Sequence, residues 1–447
     1  MSSDPDILIV GAGAAGLSAA VQLARAGMQV SILEGRDRIG GRIFTKTDPV
    51  CNAPVELGAE FIHGCPPEIW DLLRRHKIPA QELEGETWCY REGALGQCDF
   101  FSEVDELLEK MDDRSPDQSF SEFLQKCCSG AEVNSKLLEA REWARSYVTG
   151  FHAADPDLIS VHSLVKGTRA DEGIDGDRAF RIRGGYAALI EVFRRQVHDV
   201  GAGIQLNTAV RNVRWGPGVV EMTCDYANGP ITVRAPRILL TLPLAVLQQG
   251  NVRFSPALPA EKLDALKKLE MGKVTRITLR FRERFWEHLP SSRSDKTLSK
   301  LGFLLSHEEW FPTWWTTLPE KLPLITGWAP FRHAEQLAGQ SESFITDKAL
   351  EALSRLFTLS KKDLEAQLEA ACWHDWQKDP FALGAYSYVN VGGDGAQETL
   401  AMPIEDSLFF AGEATDFSGH HGTVHGAIAS GARAVKEILN QPGREKA

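Results

Sequence analysis

The sequence predicts an α/β protein: a doubly wound, Rossmann-type sheet with a discontinuous α+β unit inserted into it. Three observations predict it. An apolar run at residues 7–10 leads directly into Gly11, Gly13 and Gly16. A helical pattern then runs to Ala26, Gly27 stops it, and a second apolar run closes on Glu34. Strand-like segments of the same kind return at 206–215, 238–247 and 408–413, separated by stretches of different periodicity.

The first unit has a physical logic of its own. Four consecutive apolar residues suit a parallel strand buried on both faces. G-x-G-x-x-G after such a strand allows a tight turn and brings a pyrophosphate close to a helix N-terminus, here opened by Ala14 and Ala15. An acid about 20 residues further on, Glu34, takes the ribose hydroxyls. Gly35, Arg36, Gly40, Gly41 and Arg42 follow at once, a second flexible turn with guanidiniums suited to phosphate. Strand, helix, strand and acid in register predict a bound dinucleotide.

The chain has 447 residues, of which 43% are hydrophobic and 25% charged, and a formal net charge of −12. Length alone suggests roughly three domain-sized units, and the composition is that of a soluble globular protein. An acidic balance argues against nucleic acid as a partner. The apolar stretch at 7–24 lacks a basic flank and is interrupted by Gly, Ser and Gln, so neither a membrane span nor a targeting signal is expected. The eight cysteines form no C-x-x-C pair, and reduced thiols in a cytoplasmic setting are the expectation.

Two insertions separate the strand-like segments. The first, at about 86–180, reads as helical, with a capping box at Ser119 and Glu122 and an acidic, solvated loop at 170–179. The second, at about 251–375, mixes a helix with alternating stretches such as 274–281, which predicts an antiparallel sheet with flanking helices. The expected division is 1–85, 181–250 and 376–447 for the dinucleotide-binding domain, and 86–180 and 251–375 for the substrate domain. Residues 440–447 read as frayed.

The motifs taken together resemble the flavin amine oxidase family, which includes monoamine oxidases, polyamine oxidases and flavin-dependent histone lysine demethylases. The resemblance runs through GGR at 40–42, VELGAEFIHG at 55–64, RIRGGYAALIEVF at 181–193, LNTAVRNVRW at 206–215, ILLTLPLAVL at 238–247, WQKDPFALGAYSYV at 376–389 and LFFAGEATDFSGHHGTVHGAIASGARAVKEIL at 408–439. It implies FAD, with the backbone of Gly58, Ala59, Glu60 and Phe61 beneath the flavin ring, Val210 at the adenine and Trp376 packed near the flavin. Thr241, Gly412, Glu413, Gly422, Thr423 and Val424 complete the cofactor contacts. Glu413 suits a ribityl or ribose hydroxyl, and the helix after it aims its N-terminus at the flavin, where the dipole favours negative charge.

The implied chemistry is oxidation of an amine: hydride transfer from the α C–H, hydrolysis of the imine, and dioxygen as acceptor with release of hydrogen peroxide. His63 is expected to face the substrate and favour its neutral form. Glu60 either pairs with an arginine or reads a distal ammonium, and Trp314 and Trp315 either wall the cleft or pack in the core. His421 and His425 have helical spacing, but the glycine-rich turn and missing carboxylate argue against metal. Two departures from the family stand out. Ala385 occupies the position of the cysteine that carries covalent flavin, which implies non-covalent FAD. Arg276 occupies the position of the lysine that holds a water against the flavin, with Lys273 on the opposite face; this predicts slow reaction with dioxygen. An L-amino acid oxidase, with Arg276 holding a carboxylate, a dehydrogenase with another acceptor, and a poorly reactive flavin-bound scaffold are the alternative readings.

Overall fold

Ile7–Val10 is hydrogen-bonded in parallel to Val30–Leu33 on one side and Arg237–Leu240 on the other. Gly203–Gln205 and Leu408–Phe410 extend this to a five-stranded, all-parallel sheet. The computed structural model describes residues 4–127, 135–227, 229–290, 296–307 and 310–440. Every side chain of Ile7–Val10 is buried, as a run covered on both faces must be. Helix Ala14–Arg25 returns across the sheet, Gly27 reverses the chain with φ 86°, and helix Val424–Leu439 packs alongside the first helix. Gly16 lets the first helix sit close against the first strand: a Cβ there would collide with the Gly11 carbonyl oxygen.

A second sheet of seven strands lies in the order Leu368–Trp373, Val274–Phe281, Leu324–Pro330, Thr313–Thr316, Leu301–Leu305, Glu86–Arg91, Ala94–Gln97. It departs from expectation in two ways. The insertion after residue 85 begins with a β-hairpin rather than helix, and that hairpin joins the sheet through a parallel pairing, so the sheet is mixed. The turn explains why: Glu92 and Gly93 both take positive φ (51° and 79°), closing a two-residue loop between Arg91 and Ala94. Helices do follow, including Phe120–Cys127, where Ser119 and Glu122 bond reciprocally to each other's backbone N–H at 3.1 and 3.2 Å.

All eight side chains of Val274–Phe281 are buried, so its polar members must find partners. Arg280 pairs with Asp48 at 2.8 Å, and Arg276 turns the same way toward Glu60. The thiol expectation is corrected at one pair: Cys89, within the first strand of the hairpin, and Cys98, just past its second strand, are disulfide-bonded, whereas Cys51, Cys65, Cys224 and Cys372 are free. Cys128 and residues 441–447 lie outside the described residues. Among the described residues no helix is long and apolar enough to cross a membrane.

Candidate active site

One continuous cavity of about 1990 Å³ runs from the first glycine turn to the seven-stranded sheet. The loop after Ile7–Val10 opens it. Glu34 is 4% exposed and its carboxylate accepts from the Ala12 N–H at 2.8 Å and the Arg36 N–H at 2.9 Å. It therefore fixes the glycine turn as well as facing the cavity. Gly13 precedes the helix with φ −82°, and a Cβ on it would meet no protein atom within 4 Å. The space beside it belongs to the cavity, as a phosphate cradle requires. Gly41 lies against it from the second turn.

Arg36 and Arg42 are anchored rather than free. Arg36 pairs with Asp379 at 2.7 Å; Arg42 donates to Glu413 and to the Ala385 carbonyl, each at 2.8 Å. Glu413 also accepts from Ser387 Oγ at 2.6 Å and from the Gly422 N–H at 2.9 Å. Burial would raise this carboxyl, but Arg42 and the hydrogen bonds hold it below the usual range. Its work here is to clamp three distant segments around the cavity. Thr423 caps helix Val424–Leu439 by accepting from the Gly426 N–H at 2.9 Å.

Beyond these groups the chain passes close under the cavity. A Cβ on Gly58 would strike the Arg42 carbonyl, and Trp376, 4% exposed, donates to the Leu57 carbonyl at 2.6 Å. Ala59, Glu60, Phe61 and His63 line the next stretch, with Gly35, Gly40, Val210, Thr241 and Gly412 on the surrounding walls. Of the residues expected from the sequence to touch the cofactor or act in catalysis, Gly16 alone does not reach the cavity; its place is the helix–strand contact.

Glu60 resolves into a buried ion cluster. Its carboxylate accepts from Arg276 Nη2, from Arg181 Nε at 2.6 Å, and from Trp315 Nε1 at 3.1 and 3.2 Å. Burial opposes the charge, but Arg276 and Arg181 outweigh it and keep the carboxyl below the usual range. Arg276 is 4% exposed and also donates to the Gly58 carbonyl at 2.9 Å, leaving its Nε without a partner. Lys273 turns away to Glu335 at 2.6 Å. His63 stands between Phe61 and Phe151, at ring distances of 6.3 and 5.2 Å. Burial pushes its imidazole below the ordinary value, with Asp171 opposing, so it is neutral near pH 7.

Several lining residues were left open or unassigned by the sequence. Trp315 faces the cavity while Trp314 is fully buried in the core, which separates two neighbours that composition cannot distinguish. Phe303, Trp328, Tyr147 and Phe151 arrive from three other elements. The acidic loop at 170–179 is more than solvated surface: Asp171, Asp175 and Asp177 line the mouth, and Asp171 pairs with His420 at 3.6 Å. His421 Nδ1 and His425 Nε2 are buried without partners, and burial pushes His425 down to about 3.

A glycine turn with open space beside it, a capped helix N-terminus and an aromatic-lined stretch share one cavity. The sequence matches the family described as flavin containing amine oxidoreductase over residues 14–100 and 101–439, and the chain belongs to that family. Its cofactor is FAD. It is 28% identical over 462 residues to a rice lysine-specific histone demethylase 1 homolog 2, covering 97% of this chain and 57% of the relative, so it spans little more than half the length of such proteins. It is 27% identical to rice polyamine oxidase 3, covering 98% and 89% of the two chains. A solved structure of putrescine oxidase bound to putrescine has the same fold, with a TM-score of 0.80 at 21% identity over 98% of this chain and 100% of that one.

Ala385 leaves no sulfur for a thioether at that position, so acid precipitation is expected to release all the flavin into the supernatant. Yellow colour retained in the pellet would contradict this.

Proposed function

We propose that this enzyme oxidises the α C–H of an amine to an imine, which water hydrolyses to a carbonyl compound, with dioxygen as final acceptor and hydrogen peroxide as by-product. The observation that carries the reading is the continuity of the cavity from the Gly13 cradle to His63. The residues present fit FAD: Gly13 leaves the space open, Gly58 brings the backbone close, and the capped helix presents its N-terminus. When bound, FAD supplies the two-electron acceptor. The division into a cofactor domain (1–85, 181–250, 376–447) and a substrate domain (86–180, 251–375) is supported by the five-stranded sheet, whose strands all fall in the first set, and the seven-stranded sheet, whose strands all fall in the second.

The chain's own residues hold the amine and its proton. His63, neutral and with no side-chain hydrogen bond among the described residues, accepts from the amine N–H, and the burial that disfavours charge here favours the unprotonated amine, which alone has a lone pair to release into the C–N bond. Aromatic walls exclude water from the reacting carbon. Arg276, held by both Glu60 and the Gly58 carbonyl, keeps a fixed positive charge at the chamber wall and has little freedom to position a water.

This last point yields an expected result. Arg276→Lys should leave the rate of anaerobic bleaching by amine nearly unchanged and speed the dioxygen step roughly tenfold, the change that about 1.4 kcal/mol of barrier represents. Rapid mixing of the two half-reactions measures both. Weaker substrate binding in the lysine variant would instead favour an amino acid held through its carboxylate.

A further inference from the structure

We infer that the chamber selects a monoamine with an aromatic or bulky apolar body, and rejects diamines and polyamines; this rests on the amine oxidation proposed above. Five rings form a continuous wall. Trp328 and Trp315 lie 5.8 Å apart, Trp315 and Phe61 5.4 Å, and Phe61 and Phe303 6.2 Å, with His63 following at 6.3 Å from Phe61. All line the cavity.

A second ammonium entering this wall needs an anion or a free aromatic face. Neither is free at Trp315 and Phe61. Glu60 is the carboxylate in contact with the rings, and both of its oxygens are already occupied by two guanidiniums and the Trp315 indole. Two of the aromatic faces are also engaged by cations: the Arg276 guanidinium sits 5.4 Å from the Trp315 ring centre and that of Arg181 5.0 Å from Phe61. Glu60 is outnumbered by the two guanidiniums it meets and has no oxygen left for a further cation. Of the cavity's other acids, Glu34 and Glu413 are buried and engaged at the cofactor end and Asp171 pairs with His420, whereas Glu84, Asp105, Glu109 and Asp177 are exposed. These exposed acids attract cationic amines from solution without partnering a charge deep inside. A single amine that sheds its proton and buries an apolar body meets every one of these conditions.

The test uses amines lacking an α C–H, which bind without reacting. Calorimetric titration of the FAD-loaded enzyme with α,α-dimethylphenethylamine and with 2,5-dimethylhexane-2,5-diamine should favour the first by about tenfold or more. Phe303→Ala should erase most of that preference while leaving the flavin spectrum intact. Parallel anaerobic mixing with phenethylamine, putrescine and spermidine should bleach the flavin fastest with phenethylamine. Tighter binding and faster bleaching with the diamine or spermidine would overturn the inference and leave amine oxidation standing. If dithionite bleaches the flavin but no amine does, amine oxidation fails and the inference with it.

Discussion

Gly13→Val is expected to produce a folded, colourless protein. Gly13 has a φ that any L-residue adopts, and its Cβ would meet no protein atom within 4 Å, so the apoprotein has no reason to distort. The valine methyls instead project into the volume where the pyrophosphate approaches the helix N-terminus. Overlap of this kind costs about 3 kcal/mol or more, which lowers FAD affinity at least a hundredfold. Thermal unfolding of the two apoproteins should coincide closely, while added FAD should raise the midpoint of the natural protein alone. A Gly13→Val protein with full flavin occupancy would remove the cofactor from this turn.

Glu60→Gln is expected to destabilise the fold by about 3 kcal/mol, at the lower end of what breaking a buried ion pair costs. The loss arises because Arg276 and Arg181 would face each other without a counter-charge. It is moderated because Arg276 keeps the Gly58 carbonyl, and Arg181 keeps those of Thr316 and Leu318 at 2.9 and 3.0 Å. The sign with pH follows from the lowered carboxyl. Its stabilisation is complete above the unfolded carboxylate value and is lost as pH falls through the lower folded value. The difference between natural protein and variant in urea unfolding should therefore shrink in acid. Replacing Arg276 by Met in the same chain should recover part of the loss, since partners in one cluster do not add independently. Equal stability of Glu60→Gln and the natural protein at pH 7 would show that the cluster is not coupled.

What was legible in the sequence was local. The Gly11–Gly13–Gly16 turn, Glu34 and the capping box at Ser119 and Glu122 are each specified within a few dozen residues, and each stands where spacing requires. The strand through Arg276 was legible too, but the burial of both its faces was not, because alternating threonine and arginine read as a wet face. The cluster around Glu60 joins residues 121, 216 and 255 positions apart, and no periodicity links them. Trp314 and Trp315 part company for a similar reason: only the sheet decides which of two neighbours faces the cavity. The Cys89–Cys98 pair depended on recognising Glu92-Gly93 as a hairpin turn, a weaker signal than Asn-Gly. The acidic loop became part of the site through His420, contributed from the far end of the chain.

The central claim is that this cavity brings an amine to a bound flavin. The most direct measurement is the visible spectrum of the FAD-loaded enzyme mixed with amines under strict exclusion of oxygen. Loss of the oxidised flavin bands with at least one amine, together with a stoichiometric carbonyl product, is the result expected. Complete retention of those bands across primary and secondary amines and amino acids, in a protein that dithionite still reduces, would contradict it.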